Sequence, residues 1–197
     1  MKPTSHTGYP QPETNFGYIQ ETYDVTNYCE VCGIGAVQRN SFRLLSEPTW
    51  GNKSILQLNW VYDCFFTTPE VYETVFRPFG IDIMPVVSHK TGKRLERVVQ
   101  LIIERSANLM SYPTRLLIHT CVECSRNKYS NQHIGYFPNT VIIPNRHMVA
   151  TVEYFGTDNK AYTEVLVTNK LYREIIANRL RDHTAKDRVL ECCIPTR

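Results

Sequence analysis

Apolar positions in this chain recur mostly with a period of two. Alternating Tyr, Ile and polar residues over 16–25 predict a strand, and a second is expected over 36–45. A third, over 55–62, sets Leu56, Leu58 and Trp60 against Gln57 and Asn59. Short strands are expected at 81–87 and 116–119. Val98-Val99-Gln100-Leu101-Ile102-Ile103, within 97–105, reads as a buried strand. Later strands fall at 135–143 (interrupted by Pro138), 150–155, 162–167 and 188–194. Gly156-Thr157-Asp158-Asn159 turns the second of these back into the third.

A helical period occurs twice. Thr68 is a natural N-cap, Pro69 suits the first helical position, and Glu70 favours the positive end of the dipole. Val71, Val75 and Phe76 form the apolar stripe, and Pro78 and Gly80 stop the helix. Thr168 caps a second helix over 169–180, with Leu171, Tyr172, Ile175, Ile176 and Leu180 on one face. Thr68, Val71, Tyr72, Val75 and Phe76 match Thr168, Leu171, Tyr172, Ile175 and Ile176 at a constant offset. Two readings stand: an internal duplication, or coincidence between common strand–cap–helix units. The fold class expected is α+β, with mainly antiparallel mixed sheets and two short capped helices. Residues 1–15, rich in Pro, Thr, Ser and Gln, read as a flexible arm. Residues 16–197 read as a single domain, whose similar halves under duplication span about 16–110 and 111–197.

Two cysteine pairs change this picture. Cys29-Glu30-Val31-Cys32-Gly33 and Cys121-Val122-Glu123-Cys124 each have the spacing of a zinc knuckle, a tight turn that aims two thiolates at one ion. Gly33 supplies the positive φ such turns need. Together Cys29, Cys32, Cys121 and Cys124 make a closed tetrahedral set for one structural Zn2+, with no open position for catalysis. The two pairs are far apart in sequence, so the site is a clasp rather than a short finger. The competing reading is four reduced cysteines serving as small buried apolar side chains. A thioredoxin-like redox motif fits less well, because neither pair opens a helix. Cys64 lies in an apolar run and is expected in the core. Cys192 and Cys193 are adjacent, so in a strand they face opposite sides and cannot share one site.

The totals bound the function classes. The chain has 197 residues, seven cysteines and a net charge of +3. It lacks an apolar leader or spanning run, so a cytoplasmic protein without a membrane is expected. Basic residues gather at Lys90, Lys93, Arg94 and Arg97, and at Arg126 and Lys128, with Tyr129 and Tyr136 available for base stacking. The overall charge is too small to argue for nucleic acid by itself, and a solvated hairpin tip explains the first group equally simply. His119 is placed as an outer neighbour of the metal or as an ordinary strand histidine. His133 could replace a thiolate only if the four cysteines left a gap. No hydrolase triad order, metalloprotease motif or phosphate-binding loop is present, so a non-enzymatic protein is expected.

The order of features resembles bacterial proteins with a double C-x-x-C-G motif. It comprises the Cys29–Gly33 knuckle, the segment 65–86, the Cys121–Cys124 knuckle with Lys128-Tyr129, Glu153-Tyr154-Phe155-Gly156, and the Thr168 helix. Some members are immunity proteins of polymorphic or contact-dependent toxin systems. The resemblance implies a protein partner, a cognate toxin, with zinc as scaffold. Ser125 departs from the pattern by standing where the second knuckle's glycine would be. The alternative functional reading is a nucleic-acid-binding protein of zinc-ribbon type, and an enzyme is the distant third.

Overall fold

The computed structural model describes residues 18–58, 61–109, 117–129, 140–141 and 145–180. The expected arm, the strand at 188–194, His133, Tyr136, Cys192 and Cys193 lie outside the described residues, as does most of 135–143. The fold is α+β, and the described residues form four sheets that are mainly antiparallel.

The chain enters as a short helix, α1 (Tyr18–Thr22), where alternation predicted a strand. Tyr18 and Thr22 are both buried and lie four residues apart, so they share one face of a helical turn. β1 (Tyr23–Asp24) then pairs antiparallel with β2 (Val37–Gln38), and the first cysteine pair lies in the loop between them. The strand expected over 36–45 is split. The amides of Arg39 and Asn40 both donate to the Thr22 carbonyl, at 2.9 and 3.0 Å, and this turns the chain before β3 (Arg43–Leu44).

Five strands form the largest sheet, in the order β3, β6 (Ile83–Ser88), β7 (Arg94–Leu101), β5 (Phe66–Thr67), β4 (Ile55–Leu56). Of the strand expected over 55–62, Asn59 and Trp60 lie outside the described residues and Ile55–Leu56 are strand; Gln57 is as buried as its neighbours, and its amide donates to the Tyr62 carbonyl. Alternation there does not sort inside from outside. The apolar run at 97–105 is also two elements. β7 ends at Leu101; the Ile102 amide makes one more rung with the β6 side, donating to the Asp82 carbonyl at 2.9 Å, but the residue is 44% exposed and the chain leaves this sheet there. The chain then joins another sheet as β8 (Glu104–Leu109). That sheet has the order β11 (Thr140–Val141), β8, β12 (Met148–Thr151), β14 (Val165–Val167). β9 (Leu117–Thr120), β10 (Asn127–Tyr129) and β13 (Tyr154–Phe155) make a three-stranded sheet in the order β13, β10, β9. The pairs β3–β6, β8–β12 and β10–β13 are parallel, and the rest are antiparallel.

Both expected caps are present. The Thr68 hydroxyl accepts from the Val71 amide at 3.3 Å, and that of Thr168 from the Leu171 amide at 3.4 Å. α2 (Pro69–Val71) widens into a π-helical stretch, Tyr72–Phe76, then tightens into a 3-10 turn, Arg77–Phe79, closed by Gly80 at φ 68°. α3 (Asn169–Ala177) buries Leu171 and Ile175 and leaves Ile176 about half exposed. The largest core packs Val75, Phe76 and Leu101 against Met148, Val165, Leu171 and Ile175, so it draws on early and late segments together. A second core gathers Phe42, Leu56, Phe66, Val86 and Val98, with Cys64 packed half-buried against it.

Candidate metal centre

Each cysteine pair sits in the loop of a small antiparallel hairpin, the first between β1 and β2, the second between β9 and β10. The two loops fold alike. The Cys29 amide donates to the Ile34 carbonyl at 2.9 Å, and the Gly33 amide to the Cys29 carbonyl at 2.7 Å. In the second loop, the Cys121 amide donates to the Arg126 carbonyl at 2.9 Å and the Ser125 amide to the Cys121 carbonyl at 2.8 Å. Gly33 takes φ 77° and Ser125 takes φ 58°. The turn therefore demands the left-handed conformation at both positions, and the serine adopts it although a Cβ makes it unfavourable.

The hairpins meet tip to tip. Cys29 Sγ lies 3.8 Å from Cys121 Sγ, and Cys32 Sγ lies 3.6 Å from Cys124 Sγ. All four sulfurs fall within 4.8 Å of one another. A tetrahedral ion with metal–sulfur bonds of about 2.3 Å has sulfur–sulfur edges of about 3.8 Å, so these separations match its ligand cage. They are far too long for disulfide bonds, which need about 2.05 Å. Cys29, Cys32 and Cys121 are buried, and Cys124 is partly buried.

The local electrostatics are uneven. Backbone N–H groups of Cys124 and Glu123 point at Cys121 and pull its thiol below the ordinary range, to about 7. Burial pushes the Cys32 thiol up, to about 12, although the Ile34 amide opposes it. A thiolate on the favourably placed sulfur, with protons still on its buried neighbour, is the state from which a cation can displace the remaining protons.

No family model, curated protein or solved structure matches this chain.

The centre is held by contacts that involve no sulfur. Arg126 reaches across from the second loop and donates through Nη1 to the Asn27 carbonyl at 2.8 Å and the Ile34 carbonyl at 2.9 Å. A Cβ on Gly35 would overlap both Asn27 and that guanidinium, so glycine is required there. The buried Lys128, just after the second loop, donates to the Asp158 and Lys160 carbonyls of the turn following β13. That turn packs against the first loop, where a Cβ on Gly33 would overlap the Asn159 carbonyl. Gln38 and Gln100 exchange side-chain hydrogen bonds at 2.8 and 2.7 Å and tie the first hairpin to β7.

Of the basic residues gathered in the sequence, Lys128 is buried and Arg126 partly buried, both engaged with backbone carbonyls. Their place two and four residues after Cys124 is the signal that connects them to the knuckle. His119 lies on β9 as an exposed strand residue. Four thiolates around a divalent cation carry a net charge of −2, and Arg126 places one compensating charge beside the first loop.

Proposed function

We propose that this chain is a non-enzymatic binding protein whose fold is fastened by one structural zinc ion on Cys29, Cys32, Cys121 and Cys124. The observation that carries the reading is the four-sulfur cage, with edges of 3.6 and 3.8 Å across the two hairpins. Soft thiolates in tetrahedral array suit zinc above harder cations. Four protein ligands fill the shell, leaving no place for the bound water that zinc catalysis requires. Metal analysis of the purified chain tests it. About one zinc per chain is expected, lost in both Cys29→Ser and Cys121→Ser. A stable wild-type protein free of metal overturns it.

The double C-x-x-C-G resemblance supports a more specific role, binding and neutralising a bacterial toxin. The Ser125 departure is compatible with it, because the serine adopts the same turn as Gly33. Co-expression with the product of the gene immediately upstream is the test. Protection from a toxin encoded there supports the role, and no protection from, or complex with, that product counts against it. The nucleic-acid reading keeps Lys90, Lys93, Arg94 and Arg97, all exposed around the β6–β7 turn. It loses Arg126 and Lys128, which are engaged inside the fold.

A further inference from the structure

A cavity of about 390 Å³ opens beside the first cysteine loop, within the size range of small-molecule sites. Its wall is unusually rich in tyrosine: Tyr18, Tyr23, Tyr28, Tyr62 and Tyr154 all line it, together with Asp63. We propose that this cavity binds a small organic ammonium ion, seated on Asp63 and enclosed by the tyrosine rings.

The wall supplies both halves of ammonium recognition. Aromatic faces attract cations through their quadrupoles, most strongly where water is excluded. One such contact already exists on a wall residue, where the Arg105 guanidinium stands 4.2 Å from the centre of the Tyr154 ring. Asp63 supplies the counter-charge. Its Oδ2 accepts from the amide and the hydroxyl of Thr163, both at 3.3 Å, its own backbone amide also bonds the carboxylate, and Oδ1 takes the weak Cys64 thiol at 3.9 Å. A single oxygen with a poor donor suits a compact ammonium. A guanidinium fork needs two parallel acceptors, and here one is already taken.

Burial also raises the Asp63 carboxyl above its ordinary value, against the pull of Thr163 and Arg105. A cation arriving at Oδ1 restores interaction that the carboxylate lost on leaving water. The Tyr18 and Tyr23 hydroxyls are likewise raised by burial, so both rings stay neutral at physiological pH. The cation among the lining residues, Lys160, is exposed and sets the charge of the rim rather than of the interior.

The test is a titration of the full chain with 2-phenylethylammonium, followed by calorimetry and by tyrosine ring resonances. Its neutral counterpart, 2-phenylethanol, and its guanidinium counterpart are run in parallel. The ammonium should bind at least about tenfold more tightly than either. Asp63→Asn keeps an acceptor for Thr163 and should erase the advantage over the alcohol without weakening the alcohol itself. Tyr62→Leu, at a partly exposed position that need not disturb folding, should weaken the ammonium about fivefold and the alcohol less. Equal affinities for the three probes, unchanged selectivity in Asp63→Asn, or no binding by wild type up to about 10 mM would each overturn the proposal.

Discussion

Gly33 and Ser125 occupy equivalent places in two loops of the same shape, yet replacing each by alanine should destabilise only the first. At Gly33, φ is 77°, and an added Cβ would overlap the Asn159 carbonyl. The left-handed conformation costs a Cβ-bearing residue about 1–2 kcal/mol. Forcing the loop away from Asn159 adds overpacking strain of about 1–3 kcal/mol. Gly33→Ala should therefore lose about 3 kcal/mol, which for a chain of this size is a fall in Tm of roughly 6–12 °C. Ser125 already carries a Cβ at φ 58°, so Ser125→Ala should stay within about 0.5 kcal/mol of wild type. Thermal unfolding of the two variants beside wild type, each checked for full metal loading, is the assay. A Gly33→Ala protein melting within about 2 °C of wild type would refute the reasoning, because neither the backbone conformation nor the Asn159 contact would then constrain the loop.

Three further outcomes follow from the same geometry. Chelation at neutral pH should leave most far-UV circular dichroism but lower the melting point, since the core joining Phe76 and Leu101 to Leu171 and Ile175 involves no cysteine; complete loss of helix and strand signal would show the ion holds the fold. Asp63→Asn should stabilise the protein at neutral pH and not below about pH 4. The raised carboxyl of the folded chain contributes stability below its unfolded value of 3.8, lost as pH rises through the folded value, so parallel stability–pH curves for mutant and wild type would contradict the burial argument. Removing either cap, by Thr68→Ala or Thr168→Ala, should cost about 1 kcal/mol in denaturant unfolding, and no change at both sites would mean the caps are not stabilising.

Short-range signals were legible in the sequence. Thr68 and Thr168 act within three residues of themselves, and a cysteine pair with two residues between its members dictates its own turn, so both could be read directly. Elements whose fate depends on distant partners were not. The expected strand over 36–45 breaks at Asn40, whose amide shares the Thr22 carbonyl with that of Arg39, and the run at 97–105 breaks after Ile102, where the chain crosses to another sheet. Gln57 reads as a solvent-facing polar residue but is buried, its amide met by the Tyr62 carbonyl. The tyrosine cavity was invisible for the same reason: Tyr18, Asp63 and Tyr154 converge only after three separate elements have packed. Arg126 and Lys128 were read by charge, whereas their role is set by carbonyls that the folded chain brings to them.

The distance between the two cysteine pairs has a consequence during synthesis. Cys29 leaves the ribosome 92 residues before Cys121, its partner across the cage. At ordinary elongation rates the first pair therefore waits for roughly 5–20 s with half of the four-sulfur set. In that interval it is an exposed dithiol, open to oxidation and to soft metals that accept two ligands. Closing the cage correctly depends on how quickly the nascent chain can deliver its second hairpin.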